Sequence, residues 1–118
     1  MKEKKHTRRI AMQVRRKMEE GLIDPKQAEK LYAGYADVPG VQLFVRRARK
    51  LFPNLNCGLA SIILQHELQE GEVVNGKYGS KNHTFLLLHG DVVVDITADQ
   101  YGGPSVYVDT LRKPWILS

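Results

Sequence analysis

The sequence contains a single cysteine in 118 residues, which excludes an intramolecular disulfide. A lone thiol fits a reducing compartment better than an oxidising one. No apolar run approaches the roughly 20 residues of a membrane-spanning helix, and the charged start MKEKKHTRRIAMQVRRK lacks the apolar core of a signal peptide. We therefore expect a cytoplasmic protein that does not enter a membrane, although delivery as an effector by a non-classical route stays open.

The sequence also lacks a cluster of metal-ligating residues, so we expect neither a metal nor another cofactor. His66 and His89 are more typical of surface histidines than of ligands. The net charge of +5 and the pI near 9.4 permit contact with nucleic acid, anionic lipid or an acidic protein without choosing among them. Most of the positive charge precedes residue 51.

Hydrophobic residues make up 42% of the chain and charged residues 26%, the balance of an ordinary soluble globular protein. Because 118 residues is the usual size of one domain, we expect a single domain over residues 1–118. Its basic part, residues 1–52, is predicted to be helical. Residues 53–118 are predicted to form a core of one helix and a sheet.

Three helices are predicted in the basic part. Apolar residues at four-residue spacing predict the first, from Thr7 to about Glu20. The capping-box-like Asp24-Pro25-Lys26-Gln27 predicts the start of the second, which should end near Gly34. The turn residues Asp37 to Gly40 separate it from the third, whose apolar positions over 41–51 alternate with arginine and lysine.

The segment that begins Cys57-Gly58-Leu59-Ala60-Ser61 is apolar on nearly every side, which predicts a buried helix. Asn56 is a suitable N-cap, so Cys57 should lie in the first turn. After Gly71, short β-branched runs separated by glycine turns, including Asn75-Gly76, predict an antiparallel sheet of about four strands. Helices followed by strands predict an α+β fold with the sheet packed on the cysteine helix.

Cys57 is the first candidate for chemistry. A catalytic cysteine attacks as the thiolate, and a helix N-terminus lowers a thiol pKa through its free N–H groups and dipole. A lone cysteine in an apolar helix is nevertheless more often a small core residue. The residues that follow it along the chain favour the catalytic interpretation.

His83 is predicted to open one strand and Asp95 to end the next, which gives a nucleophile, a base and an acid that orients the base. A two-residue turn between these strands would place the two side chains on opposite faces. A three-residue loop over 89–91 would pair Leu88 with Val92 and make His83 and Asp95 diagonal neighbours on one face. We predict this loop, with Gly90 in a left-handed conformation.

At these positions the sequence resembles the transglutaminase-like and papain-like cysteine enzymes. The resemblance covers about residues 54 to 100 and depends on C-G-x-A-S on a helix, followed by N-H-T-F-L-L-L-H-G-D-V-V-V-D-I-T. It implies a papain-like or transglutaminase-like fold in which Cys57 forms a thioester, His83 acts as general base and then acid, and Asp95 fixes the imidazole. The motifs are short and do not specify the reaction.

The sequence departs from the papain pattern ahead of the cysteine, where Asn54 and Asn56 replace the glutamine of the oxyanion hole. The hole is then expected to combine the Cys57 backbone N–H with one of these amides or another main-chain donor. Gln100, in the polar segment after the predicted triad, is a candidate for substrate binding, but a simple polar turn explains it equally well.

Three classes of function follow. The first is acyl transfer on a protein or peptide amide, by a peptidase or glutamine deamidase, or by a transglutaminase if an amine accepts the acyl group. Small members of the superfamily often act as effector or toxin domains. The second is a module that binds nucleic acid or protein through the arginines over 8–17 and 46–50, although basic residues at helical spacing usually form a solvated face. The third is a catalytically inactive member of the thiol family.

Overall fold

The computed structural model describes residues 2–35, 40–54 and 56–117. Within these residues the helices are α1 (Lys2–Glu19), α2 (Pro25–Tyr35), α3 (Val41–Leu51) and α4 (Cys57–Leu68). The strands are β1 (Glu72–Tyr78), β2 (Lys81–Leu88), β3 (Val92–Asp95), β4 (Tyr107–Thr110) and β5 (Trp115–Ile116), and a short 3-10 helix spans Ala98–Tyr101. The fold class is α+β, as predicted.

The three helices of the basic part lie close to their predicted positions. α1 begins at Lys2, five residues before the predicted start at Thr7, because lysine and glutamate continue the helix without an apolar stripe. Asp24 caps α2 by accepting a hydrogen bond of 3.1 Å from the Lys26 backbone N–H, which confirms the predicted start. Of the predicted turn before α3, only Gly40 lies within the described residues, with a φ of 79°.

α4 is the buried helix that the apolar segment predicted. Its residues from Leu59 to Leu64 are all buried, and it packs against α1 and α2 on one side and the sheet on the other. Cys57 is the first helical residue, and Asn56 occupies the N-cap position without a side-chain hydrogen bond to the helix. The prediction that places Cys57 in the first turn is confirmed.

The sheet is antiparallel, with strand order β4-β3-β2-β1-β5. The predicted turn at Asn75-Gly76 is wrong, since both residues lie inside β1 and pair with Thr84 and His83. A Cβ on Gly76 would collide with the carbonyl oxygen of Ile116, so this glycine marks the close approach of a neighbouring strand. That neighbour, β5, was not predicted, because two residues after a proline carry no alternating pattern.

The hairpin between β2 and β3 has the predicted three-residue loop. Leu88 pairs with Val92 across it, and the register continues through Leu87 with Val93 and Leu86 with Val94. Gly90 has a φ of 81°, in the left-handed region. This loop length confirms the predicted register and places His83 and Asp95 on the same face of the sheet.

The two faces of the sheet bury separate apolar clusters. Alternate side chains on one face, including Leu86, Leu88 and Val94, pack with α4 and the other helices. On the opposite face, Phe85 and Val93 pack with Ala98 and with Trp115 of β5. In the described parts of the chain, no helix is both long and apolar enough to cross a membrane.

Candidate active site

The first turn of α4 holds Cys57 at a partly exposed position, unlike the fully buried residues that follow. The Ser61 hydroxyl donates a hydrogen bond of 2.6 Å to the Cys57 carbonyl and lies 3.4 Å from the carbonyl oxygen of Thr84 on β2. Ser61 therefore ties the start of the helix to the strand that carries His83. The N–H groups of the first turn have no partner within the helix and point towards its N-terminal end.

The His83 imidazole is buried and its Nε2 lies 2.6 Å from Oδ2 of Asp95. Because a carboxylate only accepts hydrogen bonds, Nε2 carries a proton and donates it to Asp95. Nδ1 is left facing away from the carboxylate. It is buried and has no hydrogen bond of ordinary geometry with any described residue.

Asp95 is held by donors besides His83. Its Oδ1 accepts hydrogen bonds from the Thr97 backbone N–H at 2.9 Å and the Thr97 hydroxyl at 3.3 Å. Its Oδ2 accepts a bond of 2.7 Å from the Trp115 indole N–H as well as the bond from His83. Both carboxylate oxygens are therefore fixed, which sets the plane and the tautomer of the imidazole.

Three aromatic rings surround the imidazole. Tyr101 lies edge-on to His83 with ring centroids 5.4 Å apart, Tyr78 lies similarly at 6.1 Å, and Phe85 is tilted at 6.2 Å. The Tyr101 hydroxyl also donates a hydrogen bond of 3.1 Å to the carbonyl oxygen of Asn82. These rings exclude water from the His83 side chain, whose exposure is 0%.

The thiol and the imidazole change each other's pKa. Burial raises the pKa of Cys57, but the attraction of the nearby His83 imidazole and contacts with Thr84 outweigh it, so the net shift is downward. Burial lowers the pKa of His83, but the hydrogen bond to Asp95 and the interactions with Cys57 raise it to about 9. Both shifts favour a thiolate beside an imidazolium at neutral pH.

A cleft of about 410 Å³ opens onto Cys57 and His83. Its other lining residues are Asn75, Gly76, Lys77, Asn82 and Thr84. They come from the paired ends of β1 and β2 and, apart from glycine, all are polar. Solvent reaches the thiol through this cleft, while the imidazole and its carboxylate stay beneath the surface.

The three amide side chains considered for the oxyanion hole or the substrate are not among the residues that line this cleft. Asn56 donates both of its amide hydrogens to backbone carbonyls, of Ala48 and Asn54, at 2.7 Å each, so neither remains for an oxyanion. Asn54 is exposed. Gln100 lies in the 3-10 helix, where its Nε2 is buried without a partner among the described residues. The backbone N–H groups at the start of α4, which have no partner within the helix, therefore remain as candidate donors to an oxyanion.

Several basic residues of α1 form hydrogen bonds or ion pairs with other parts of the chain. Arg15 forms two bonds of 2.8 Å to the Asp99 carboxylate and one of 2.8 Å to the Ile96 carbonyl. Arg8 donates to the Val108 carbonyl at 2.9 Å, and Lys4 pairs with Asp109 at 3.0 Å. Arg15 therefore braces the segment that immediately follows Asp95. Arg9 and Arg16 of the same helix are exposed, and nucleic-acid binding by the arginines of α1 stays a prediction.

Sequence reasoning missed Trp115 and Ser61, and it considered Tyr101 only as part of the polar segment 99–101 that could line the cleft. Trp115 is 20 residues from Asp95 and reaches it only because β5 adds to the far edge of the sheet beside β1. Ser61 lies one turn after Cys57, and its spacing could have indicated a bond back to the helix start. The sole tryptophan of the chain, close to a predicted sheet, was the one available signal for the indole donor.

Comparison of this chain with models of protein families, with curated proteins and with solved structures found no match. Nothing therefore identifies a transglutaminase-like or papain-like family, and that relationship stays a prediction. Among the described residues, no group of three or more histidine, cysteine, aspartate or glutamate side chains is arranged to hold a metal ion.

Proposed function

We propose that this protein is a cysteine-dependent acyl-transfer enzyme that acts on a protein or peptide amide through Cys57, His83 and Asp95. The observation that carries the proposal is the buried His83–Asp95 pair at 2.6 Å beside a partly exposed thiol whose pKa is lowered. Perturbed titratable groups that converge on a cleft are the usual mark of a catalytic centre. A purely structural cysteine would need neither the imidazole nor the cleft.

The first half of the reaction makes a thioester. The Cys57 thiolate attacks the carbonyl carbon, a C–S bond forms, and the carbonyl π electrons move onto oxygen. The N–H groups of the first turn of α4 stabilise the resulting oxyanion. His83 then gives its Nδ1 proton to the leaving nitrogen as the C–N bond breaks, so an amine or ammonia departs and His83 is left neutral.

The second half returns the enzyme to its starting state. Nδ1 of His83 takes a proton from the incoming water, whose oxygen attacks the thioester carbonyl. Collapse of the tetrahedral intermediate breaks the C–S bond and releases a carboxylic acid and the thiolate. Asp95 accepts the Nε2–H bond throughout and keeps Nδ1 directed towards the reaction.

Hydrolysis of a peptide bond or of a glutamine side chain is our preferred outcome, and transfer to an amine is the alternative. The same steps serve all three, because only the leaving group and the acceptor differ. We further propose that the resemblance to transglutaminase-like and papain-like enzymes reflects a shared arrangement of helix and sheet. An effector or toxin role and a cytoplasmic site of action are compatible with this chemistry.

The proposal is tested with p-nitrophenyl acetate, an activated ester that any competent thiol acyl-transferase should accept. We expect a burst of p-nitrophenol equal to the enzyme concentration, an acetyl group on Cys57 by mass spectrometry, and its release by hydroxylamine. His83→Ala should lose about 10²–10⁴-fold in acylation rate, the usual contribution of a general acid–base group. His66→Ala is the matched control, since His66 is an exposed histidine on the same helix as Cys57.

Equal acetylation of Cys57 in the wild type and in His83→Ala would contradict the enzyme proposal and favour a protein that keeps these residues only for structure or binding. If the burst is observed, incubation with glutamine-containing peptides distinguishes the three reactions. Mass spectrometry would detect chain cleavage, conversion of glutamine to glutamate, or incorporation of an added amine.

A further inference from the structure

The cleft beside Cys57 has a charge pattern that indicates its substrate. Two cross-strand pairs, Asn75 with Thr84 and Lys77 with Asn82, line it. No acidic residue is among its lining residues. Lys77 is exposed and forms no ion pair with a described carboxylate.

The two cross-strand pairs differ in what they leave for a ligand. The Thr84 hydroxyl donates a hydrogen bond of 2.8 Å to Oδ1 of Asn75, and the Tyr35 hydroxyl donates to the same oxygen at 3.1 Å. This pair therefore forms a wall that is tied to α2. Lys77 and Asn82, in contrast, present an ammonium and an amide that are both exposed.

The other charged groups of the site do not add to the charge of Lys77. The Asp95 carboxylate is buried and already accepts hydrogen bonds from His83, Thr97 and Trp115. With a pKa of about 9, His83 is positively charged at neutral pH. The Cys57 thiolate and the buried Asp95 carboxylate offset the charge of His83, so the exposed ammonium of Lys77 is the positive charge that a substrate in the cleft meets.

We propose that the cleft selects an acyl group that carries a carboxylate close to the amide that is attacked, as in an acidic segment of a protein or peptide, and that Lys77 binds this carboxylate. This inference rests on the proposed function, since it assigns the substrate of the same site. A neutral group would leave the ammonium of Lys77 without a partner of opposite charge, and a basic group would be repelled by it. Exposure of Lys77 keeps the expected preference modest, and salt should weaken it.

The test compares two reagents of nearly equal size that alkylate Cys57, the anion iodoacetate and the neutral iodoacetamide. The ratio of their rate constants at neutral pH and low ionic strength reports the potential in the cleft. We expect Lys77→Gln to lower the iodoacetate-to-iodoacetamide ratio several-fold, and Lys77→Glu to lower it about tenfold. Lys30→Glu, a charge reversal at an exposed site on α2 outside the cleft, should leave the ratio unchanged.

A second comparison uses mono-p-nitrophenyl glutarate and its methyl ester, and it follows acylation of Cys57 by mass spectrometry because the free carboxylate of the glutarate also expels p-nitrophenol intramolecularly. The wild type should be acylated faster by the anionic glutarate relative to its ester, and Lys77→Glu should remove this preference. The rate with the neutral ester is the internal reference, because any effect of the substitution on the Cys57 thiolate itself cancels in the ratio of the two rates.

The outcomes separate the two proposals. A thiol that reacts with iodoacetamide as fast as in the wild type, but with the same reagent ratio in every variant, overturns the preference for a carboxylate and leaves the proposed function standing. A thiol without enhanced reactivity towards either reagent overturns both. An equal fall of the iodoacetate-to-iodoacetamide ratio in Lys30→Glu would show a general effect of net charge and would also contradict a site at Lys77.

Discussion

One face of the sheet has two contrasting halves. Beside the middle of α4, alternate positions of β2 carry Leu86 and Leu88, which are buried in the larger apolar cluster. Thr84 and Asn82, which precede Leu86 by two and four residues on the same face, line the cleft. The strand is continuous, so the difference arises where the helix begins: its body covers the sheet, whereas its first turn, with Cys57, lies next to a solvent-filled space. The same strand therefore supplies both the core and the candidate active site.

This contrast predicts that shortening a side chain in the half covered by α4 lowers the stability of the protein most and changes the reactivity of Cys57 least. Leu86 is fully buried. Leu86→Ala should lower the free energy of unfolding by about 2–5 kcal/mol, because it removes buried methyl groups and leaves a cavity. Guanidinium unfolding measures the loss. Under conditions where the variant is folded, its Cys57 should react with iodoacetamide at the wild-type rate; a parallel loss of reactivity would mean that the two halves are not separable.

Asp95→Asn should affect both properties, since this carboxylate lies at the boundary of core and site. An asparagine has one acceptor oxygen and cannot satisfy Thr97, His83 and Trp115 together, so at least one buried donor is left without a partner. We expect a loss of about 1–3 kcal/mol in unfolding free energy and a lower Cys57 alkylation rate at neutral pH. The conservative control is Thr97→Ser, which keeps the backbone N–H and a hydroxyl. Wild-type reactivity in Asp95→Asn would show that His83 does not depend on the carboxylate.

The pH dependence of stability tests the coupling of Cys57 and His83 more finely. If Cys57 is a thiolate and His83 an imidazolium from about pH 6.5 to 8.5, the folded pair binds one proton, as does the unfolded pair of thiol and neutral imidazole. The pair should therefore contribute no slope in the wild type. In Cys57→Ser the hydrogen bond to Asp95 still raises the pKa of His83 while the contribution of Cys57 is lost, so the folded state should bind the extra proton over part of this window and stability should fall there as pH rises.

The slope in Cys57→Ser should approach about 1.4 kcal/mol per pH unit at most. Urea unfolding at a series of pH values, with the double variant Cys57→Ser, His83→Gln as control, measures it. The unfolding free energy of the double variant should again be independent of pH in this window. Equal pH dependence in the wild type and in Cys57→Ser would contradict a thiolate–imidazolium pair.

Local patterns in the sequence predicted the elements that create this contrast. The apolar run after Asn56 predicted a buried helix, which α4 confirms. Only a three-residue hairpin loop would place His83 and Asp95 on the same face of the sheet, and the pairing of Leu88 with Val92 confirms this loop. These features depend on residues close together in the chain. The sequence predictions for Cys57, His83 and Asp95 as catalytic residues still await a chemical test.

Contacts between distant segments were harder to predict. The bond from Trp115 to Asp95 depends on β5, which pairs with β1 and has too few residues to show alternation. Gly76 was interpreted as a turn because asparagine followed by glycine favours one, yet the collision of any side chain there with Ile116 explains the glycine within the strand. Asn56 was considered for the oxyanion hole from its position alone, and its amide instead binds two backbone carbonyls.

The central claim is that Cys57 and His83 form a reactive pair, and the rate of Cys57 alkylation by iodoacetamide as a function of pH tests it most directly. The wild type should stay reactive well below the ordinary cysteine pKa of about 8.5, because His83 holds the thiolate. His83→Ala should lose this reactivity and titrate as an ordinary or buried thiol, while His66→Ala should match the wild type. A thiol that is unreactive, or that titrates normally and is unchanged by His83→Ala, would contradict the account.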